Sequence, residues 1–489
     1  MSDTKVRKDN SELFKWDGKP SFGQVLPLAA QHVLAAVVGC VTPAILVANA
    51  ANNAGGNVDM GLLIQVSLVF AALSTLLQLY AKKIKLGSGL PVIIGVSFAY
   101  VPTMTAIAAQ AKDVNTIFGA MIIGGVVAIL VGLFIRQIRK VFPPLVIGTV
   151  ILAIGLSLYS TAVNYMAGNS SNTYEVVVEQ QGKTEALVFG SWQNWLVAFI
   201  TLAIVVLLNH YGKGLFKLAS ILIGLLCGYV VALCFGMVDF SALSSAGWFE
   251  VPMPLAFGMK FDISAILPLG ILFLVNSIQA MGDFSATTTG GMDRLPTDEE
   301  LNGGIIGYGV SNMVGAVFGC PPTATYSQNV GIVGSTRVVA RRVFTASAII
   351  LLIAGLIPKF SALLRTIPQC VLGGAVASVF ASIAMTGIKL LVTEKLTYRN
   401  TTVAGLSIAI GMGVSLSEGC LNQMTASIHN ALNMSMSLES FQSIINNTFA
   451  SSPVVLATIF AVILNLILPK DKPDAQRNPA GITGGKNYE

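Results

Sequence analysis

Apolar runs separated by short polar links fill this chain from residue 24 to residue 469. They lie near 24–50, 60–81, 87–109, 115–135, 143–166, 191–209 and 216–237, and again near 262–283, 302–320, 321–338, 342–358, 368–389, 400–417 and 450–469. A helix rises 1.5 Å per residue, so about 20 apolar residues cross the roughly 30 Å hydrocarbon core of a bilayer. The pattern predicts an all-α polytopic membrane protein of fourteen transmembrane spans, seven on each side of a middle loop. Its expected parts are an N-terminal tail (1–23), a first seven-span repeat (24–237), an extracellular connection (238–261), a second repeat (262–469) and a C-terminal tail (470–489). The polar stretches 167–190 and 284–300, the latter ending in Asp298-Glu299-Glu300, read as solvated connections.

Composition agrees with lipid as the main solvent: 54% of residues are apolar, 11% are charged, and the mean hydropathy is +0.74. The net charge of +6 sits in short runs between spans, which orients helices and offers no patch for nucleic acid. With the N-terminus inside, all but Lys112, Lys183, Lys260, Lys359 and Arg365 of the 29 basic residues fall on the cytoplasmic side. Both termini are therefore expected in the cytoplasm of a plasma-membrane protein, and residues 1–22 hold no apolar run resembling a signal peptide. The six cysteines occur in or beside apolar segments without metal-ligand spacing and read as small buried hydrophobes. No phosphate-binding G-x-x-x-x-G-K-[ST] loop, soluble domain or reactive constellation stands out. The chain is thus expected to be no enzyme and to use no cofactor, catalytic residue or metal; active transport would draw on an ion gradient.

The halves echo each other. Pro143-Pro144-Leu145-Val146-Ile147-Gly148 opens one span and Pro368-Gln369-Cys370-Val371-Leu372-Gly373 another. Seven is odd, so repeats of seven spans must be inverted, as in secondary transporters. Two spans are also broken in corresponding places: Gly87-Ser88-Gly89-Leu90-Pro91 through Ser97-Phe98 in the third, and Gly319-Cys320-Pro321-Pro322 through Gln328-Asn329 in the tenth. Glycine and proline at this density forbid a continuous helix and predict short extended segments in spans 3 and 10. Such backbone survives at membrane depth only when buried in protein or lining a cavity. A half-helix after each piece would aim free N–H groups at the midplane; two kinked helices packed by small residues are the alternative.

Polar side chains inside lipid need partners. Gln31 and His32 lie in the first span, Gln279 and Asp283 in the eighth, where their spacing of four places them on one helix face. Asp283 falls near the predicted end of its span, where water could reach it.

Gln328-Asn329-Val330-Gly331-Ile332-Val333-Gly334-Ser335-Thr336-Arg337 resembles the Q-N-x-G-x-x-x-x-T-[RKG] motif of the nucleobase-ascorbate transporter family. Gln31-His32, Gly89-Leu90-Pro91-Val92 through Ser97-Phe98, and Ile278 to Asp283 extend the resemblance over roughly residues 24–469, most similar to bacterial xanthine and uric acid permeases. It implies a homodimer in which a core domain (spans 1–4 and 8–11) moves against a gate domain (spans 5–7 and 12–14) like an elevator. It further implies a purine nucleobase as substrate, held by Gln279, Gln328, Ser327, Phe98, Ser97 and His32, with Asp283, Asn329 and Thr336 in coupling or gating. Uracil or ascorbate, or an anion in a carrier of the related fold, are the alternatives. This sequence departs from the family where most members have Glu at the position of Gln279, and where many bacterial ones have Asp at that of Tyr308. Proton symport through Asp283, symport of Na⁺ and uncoupled uniport all follow as readings, because an amide cannot change its protonation.

Overall fold

A chain in lipid must close its backbone hydrogen bonds internally, and helices do so within one segment. The computed structural model describes residues 12–168, 174–178, 183–187, 189–240, 243–244, 246–417, 419–432 and 434–469, and it is mostly helical. The first eleven residues and the C-terminal tail, with Lys470, Lys472, Arg477 and Lys486, lie outside the described residues.

The first half comprises α1 (Phe22–Asn53), α2 (Met60–Tyr80), β1 (Ile94–Val96), α3 (Val101–Ala111), α4 (Asn115–Leu133), α5 (Pro144–Ser157), α6 (Tyr159–Met166), β2 (Tyr174–Val178), β3 (Lys183–Leu187), α7 (Trp192–Tyr211) and α8 (Ser220–Cys234). The second comprises α9 (Ile263–Met292), α10 (Asp298–Val317), β4 (Thr323–Thr325), α11 (Ser327–Thr336), α12 (Arg341–Gly355), α13 (Pro358–Arg365), α14 (Gln369–Leu391), α15 (Tyr398–Leu416), α16 (Asn422–Ala431), α17 (Leu438–Ile445) and α18 (Pro453–Ile467). Among the described residues, seven helices are each long and apolar enough to cross a membrane alone. Two bent pairs, α12 with α13 at 80° and α17 through its following turn with α18 at 71°, bring that number to as many as nine.

Packing falls into two groups. Helices α1–α4 and α9–α12 pack chiefly on one another, as do α5–α8 with α14, α15 and α18. In the second group α5 and α14 run antiparallel in close contact, because glycines face backbone: a Cβ on Gly155 or on Gly387 would come within 2.4 Å of the opposite main chain. These two helices open with the matching Pro143 and Pro368 segments, each proline serving as N-cap.

Several expectations are corrected. The 284–300 stretch is largely helix: α9 runs on to Met292, where Ser285, Thr288 and Thr289 return their hydroxyls to carbonyls one turn back, so polar residues need no water to continue the helix. Asp283 is consequently buried in mid-helix. The 167–190 loop carries a two-stranded hairpin, β2 pairing with β3 from Tyr174↔Leu187 to Val178↔Lys183. Helices α16 and α17 occupy a region in which no apolar run marks a span. Of the cysteines, Cys40, Cys320 and Cys370 are buried, but Cys234 and Cys420 are exposed, because apolar residues on a bundle in lipid face outward as readily as inward.

Candidate functional site

The broken spans meet. β1 and β4 form an antiparallel pair with Ile94 opposite Thr325, Gly95 opposite Ala324 and Val96 opposite Thr323. Ser97 N–H donates to Pro322 O at 2.9 Å and Tyr326 N–H to Ile93 O at 3.1 Å, which extends the ladder at both ends. Side chains from other helices occupy the outer edges: Thr75 Oγ1 accepts from Ile94 N–H at 2.9 Å, and Asn312 Oδ1 accepts from Thr323 N–H at 2.7 Å. Extended backbone in the bundle interior is thereby satisfied without water. The Tyr326 ring crosses the pair and donates its hydroxyl to Val96 O at 2.8 Å. Only glycine fits beneath it, since a Cβ on Gly95 would lie 2.5 Å from the ring.

A half-helix leaves each strand. Phe98–Tyr100 forms a 3₁₀ turn leading into α3, and α11 starts at Ser327. Val330 N–H makes the bond to the α11 cap residue, to Tyr326 O at 3.1 Å, so the N–H groups of Ser327, Gln328 and Asn329 precede the ladder and carry the positive end of the helix dipole.

Around this junction the predicted residues sort into separate contacts. Phe98 and Gln328 share one recess with Val38, Gly39, Tyr326 and, from the opposite helix group, Ile221 and Val379. The recess measures about 10 Å³, room for one water-sized sphere, and the Phe98 ring stands edge-on to Phe380 at 5.2 Å. Asp283 clasps the start of α11, accepting from Ser327 Oγ at 2.8 Å and from Thr325 Oγ1 at 2.5 Å. Asn329 Nδ2 donates to His32 O at 3.1 Å and lies 3.0 Å from His32 Nδ1, joining α1 to α11. His32 thus faces Asn329 and, at 4.7 Å, Phe344. Gln279 lines a second narrow recess against Phe142, Ile147, Val150 and Ile151 on the α5 side, apart from the one holding Gln328. Thr336 sits at the far end of α11, where its hydroxyl donates to Ile332 O at 2.8 Å and accepts from Val338 N–H at 3.3 Å.

A neutral network went unread in the sequence. Ser97 Oγ accepts from Asn276 Nδ2 at 3.3 Å, Asn276 Nδ2 also reaches the Tyr308 hydroxyl at 3.4 Å, and Tyr308 bonds the Tyr100 hydroxyl at 2.5 Å. Asn276 is a buried amide one turn before Gln279, and that spacing was the available signal. At the bundle end bearing the N-terminal segment, Glu300 is 2% exposed and receives Arg294 at 2.8 Å and Lys82 at 3.0 Å. Burial pushes the Glu300 carboxyl up, but Arg294, the Thr297 N–H and Lys82 outweigh it and hold it at about 2.

An aromatic wall, an amide and free N–H groups together can bind a small planar molecule with donors and acceptors on its edge. Residues 23–420 match the Xan_ur_permease profile, described as "Permease family". The chain is 34% identical over 414 residues to the uric acid permease PucJ of Bacillus subtilis, covering 84% of this chain and 88% of PucJ. It is 31% identical over 449 residues to the xanthine permease of the same organism, covering 91% and 94% of the two chains. It is also 29% identical over 474 residues to the xanthine permease XanQ of Escherichia coli, covering 94% of each. Among solved structures, the transmembrane domain of the cyanobacterial bicarbonate transporter BicA matches with a TM-score of 0.53 at 16% identity, covering 88% of this chain and 97% of that one. The murine anion transporter Slc26a9 matches at 0.60 and 12%, covering 94% and 70%; both likenesses concern the fold. With the profile spanning most of its length, the chain belongs to the permease family of nucleobase-ascorbate transporters and is a multi-pass membrane permease, not an enzyme.

Proposed function

We propose that this permease carries an oxidised purine base, xanthine or uric acid, across the plasma membrane by alternating access. The observation that carries this reading is the shared recess of Phe98 and Gln328 at the N-terminal end of α11. A purine dione is flat, so it stacks on an aromatic face, and its edge alternates N–H donors with carbonyl acceptors. A glutamine amide answers both, whereas a carboxylate only accepts. Relatives named for xanthine and uric acid support the same class.

A recess of about 10 Å³ is far below the roughly 300 Å³ at which ligand pockets begin, so loading requires Ile221 and Val379 to draw away from Phe98. The two packing groups support the reading of α1–α4 with α9–α12 as a moving core and the remainder as a gate; fourteen spans, a homodimer and cytoplasmic termini belong to the same proposal and rest on the family resemblance. Gln279 and Ser97 border the same core and contact the base once the walls part. Among the described residues the buried carboxylates are Asp283 and Glu300, and Glu300 is engaged by two cations. Asp283 is therefore the group suited to carry a coupling proton; without proton coupling, Na⁺ symport and uniport are the remaining readings.

Uptake of radiolabelled xanthine and uric acid in a host lacking purine permeases tests this. Saturable uptake of either, competed by the other and not by uracil or ascorbate, is the expected result; uptake of neither overturns it. A protonophore then separates the mechanisms: inhibition in the wild type that is lost in Asp283→Asn assigns the proton to Asp283, and insensitivity to both protonophore and Na⁺ replacement establishes uniport.

A further inference from the structure

Away from the recess, the far end of half-helix α3 is fastened to the bent segment before α18 by neutral groups alone. Gln110, in the last turn of α3, donates from Nε2 to Ser443 Oγ at 2.7 Å and accepts at Oε1 from Asn447 Nδ2 at 2.5 Å. Deeper, Thr103 Oγ1 donates to Ser452 Oγ at 2.8 Å, and both residues are fully buried. Of these partners, Ser452 is the N-cap of α18, and the others lie in α17 and the turn after it. Residues Asn446–Ala450 widen there into a π-helical turn, and the chain then bends by 71° into α18. The wide turn carries Asn447 and Thr448 inward, both buried between less buried neighbours. On its other side the same segment is tethered to α16, with Gln442 Nε2 donating to Asn422 O at 3.0 Å and Asn446 Nδ2 to Asn422 Oδ1 at 3.0 Å.

The latch joins α3, in the group with the broken spans, to a segment that packs on α9 of that group and on α15 and α18 of the other, and so lies at the boundary between them. α3 packs on α1 beside the broken spans, and α18 packs on α15 and α5. Any displacement of one group against the other that withdraws Phe98 from Phe380 carries α3 along, because Phe98 opens the turn from which α3 grows. Amides and hydroxyls exchange such bonds with water at little net cost, so they suit a contact that must break and re-form in every cycle. π turns inside helices recur where function requires a local irregularity.

We infer that Gln110, Asn447, Ser443, Thr103 and Ser452 form a latch that holds the bundle face remote from the N-terminal segment shut, and that they are positioning residues for transport. The inference rests on the transport reading above. Releasing the latch shifts the population toward the form open on that face and raises apparent affinity for external substrate.

Gln110→Ala and Asn447→Ala are expected to lower the KM for external xanthine about three- to tenfold while reducing maximal uptake, at equal surface expression. Gln110→Glu, which still accepts from Asn447 and accepts from the Ser443 hydroxyl in place of donating to it, restores both constants. Gln110→Cys with Ser443→Cys, bridged by a short bis-methanethiosulfonate, stops uptake until dithiothreitol is added. Each single cysteine variant under the same reagent controls for Cys234 and Cys420. An unchanged KM in both alanine variants, or a bridged protein that transports at full rate, overturns the latch. If the wild type takes up no purine, the substrate reading fails separately. The latch is then read from labelling of Val379→Cys by an external thiol reagent, expected to rise about three- to tenfold with Gln110→Ala and overturning the idea if unchanged.

Discussion

In the first broken span the strand Ile94–Val96 is followed by Phe98, Ala99 and Tyr100; in the second, Thr323–Thr325 is followed by Ser327, Gln328 and Asn329. The strands, with Thr75, Asn312 and Tyr326, satisfy the backbone of the pair, so it does not depend on the side chains from Phe98 or Ser327 onward. The following turn is therefore free to specialise. One half supplies an aromatic wall backed by the neutral network of Ser97, Asn276, Tyr308 and Tyr100, and the other supplies an amide and free N–H groups backed by a carboxylate. A repeated backbone device can thus present complementary chemistry, stacking from one side and hydrogen bonding from the other.

The comparison breaks most severely if the shared strand pair is disturbed. Gly95→Ala drives a Cβ into the Tyr326 ring, and overpacking of about 1–3 kcal/mol at the junction should cut uptake below about a tenth, measured at equal surface expression. Gly282→Ala, where a Cβ meets nothing within 4 Å, should leave uptake near wild type. Next in size, Gln328→Ala should reduce kcat/KM for xanthine by about 30- to 100-fold, since a paired polar edge worth about 2–3 kcal/mol is lost. Phe98→Ala should cost about tenfold. If Phe98→Ala proves the costlier, the division of labour between the halves is wrong.

The backing groups come next. Asp283→Asn leaves one of two hydroxyls without its acceptor, for about fivefold lower uptake, and abolishes any protonophore-sensitive accumulation. Tyr308→Phe, on the neutral side, should lower uptake by a similar or smaller factor with the same response to protonophore as wild type.

Smallest is the Glu300 cluster, which lies outside the comparison and serves as its structural control. Glu300→Gln should cost about 1–2 kcal/mol of stability, less than a fully buried pair because Lys82 and Arg294 are nearly half exposed. The folded carboxyl sits at about 2 against an ordinary value of 4.5. Its contribution is therefore complete above pH 4.5 and disappears as pH falls toward 2. Thermal unfolding of purified wild type and Glu300→Gln should converge over that window, while substrate affinity is unchanged.

The breaks in spans 3 and 10 were legible because glycine and proline restrict backbone within a few residues, whatever surrounds them. The end of α9 was not, since serine and threonine hydroxyls that look like a wet loop return to their own helix. α16 and α17 escaped notice because an apolar run is the signal for a span, and these helices lack one.

Sequence alone determined that the chain lives in lipid, where its helices are interrupted, and which family motif sits at the second interruption. Each is a property of residues near one another along the chain. Tertiary structure decided the company each polar residue keeps: Gln328 with Phe98, His32 with Asn329, Asp283 with Thr325 and Ser327, and Gln279 toward α5. An apolar stretch records that a helix is buried but not which neighbour buries it. His32 and Asn329 stand 297 residues apart, and no local pattern encodes their meeting.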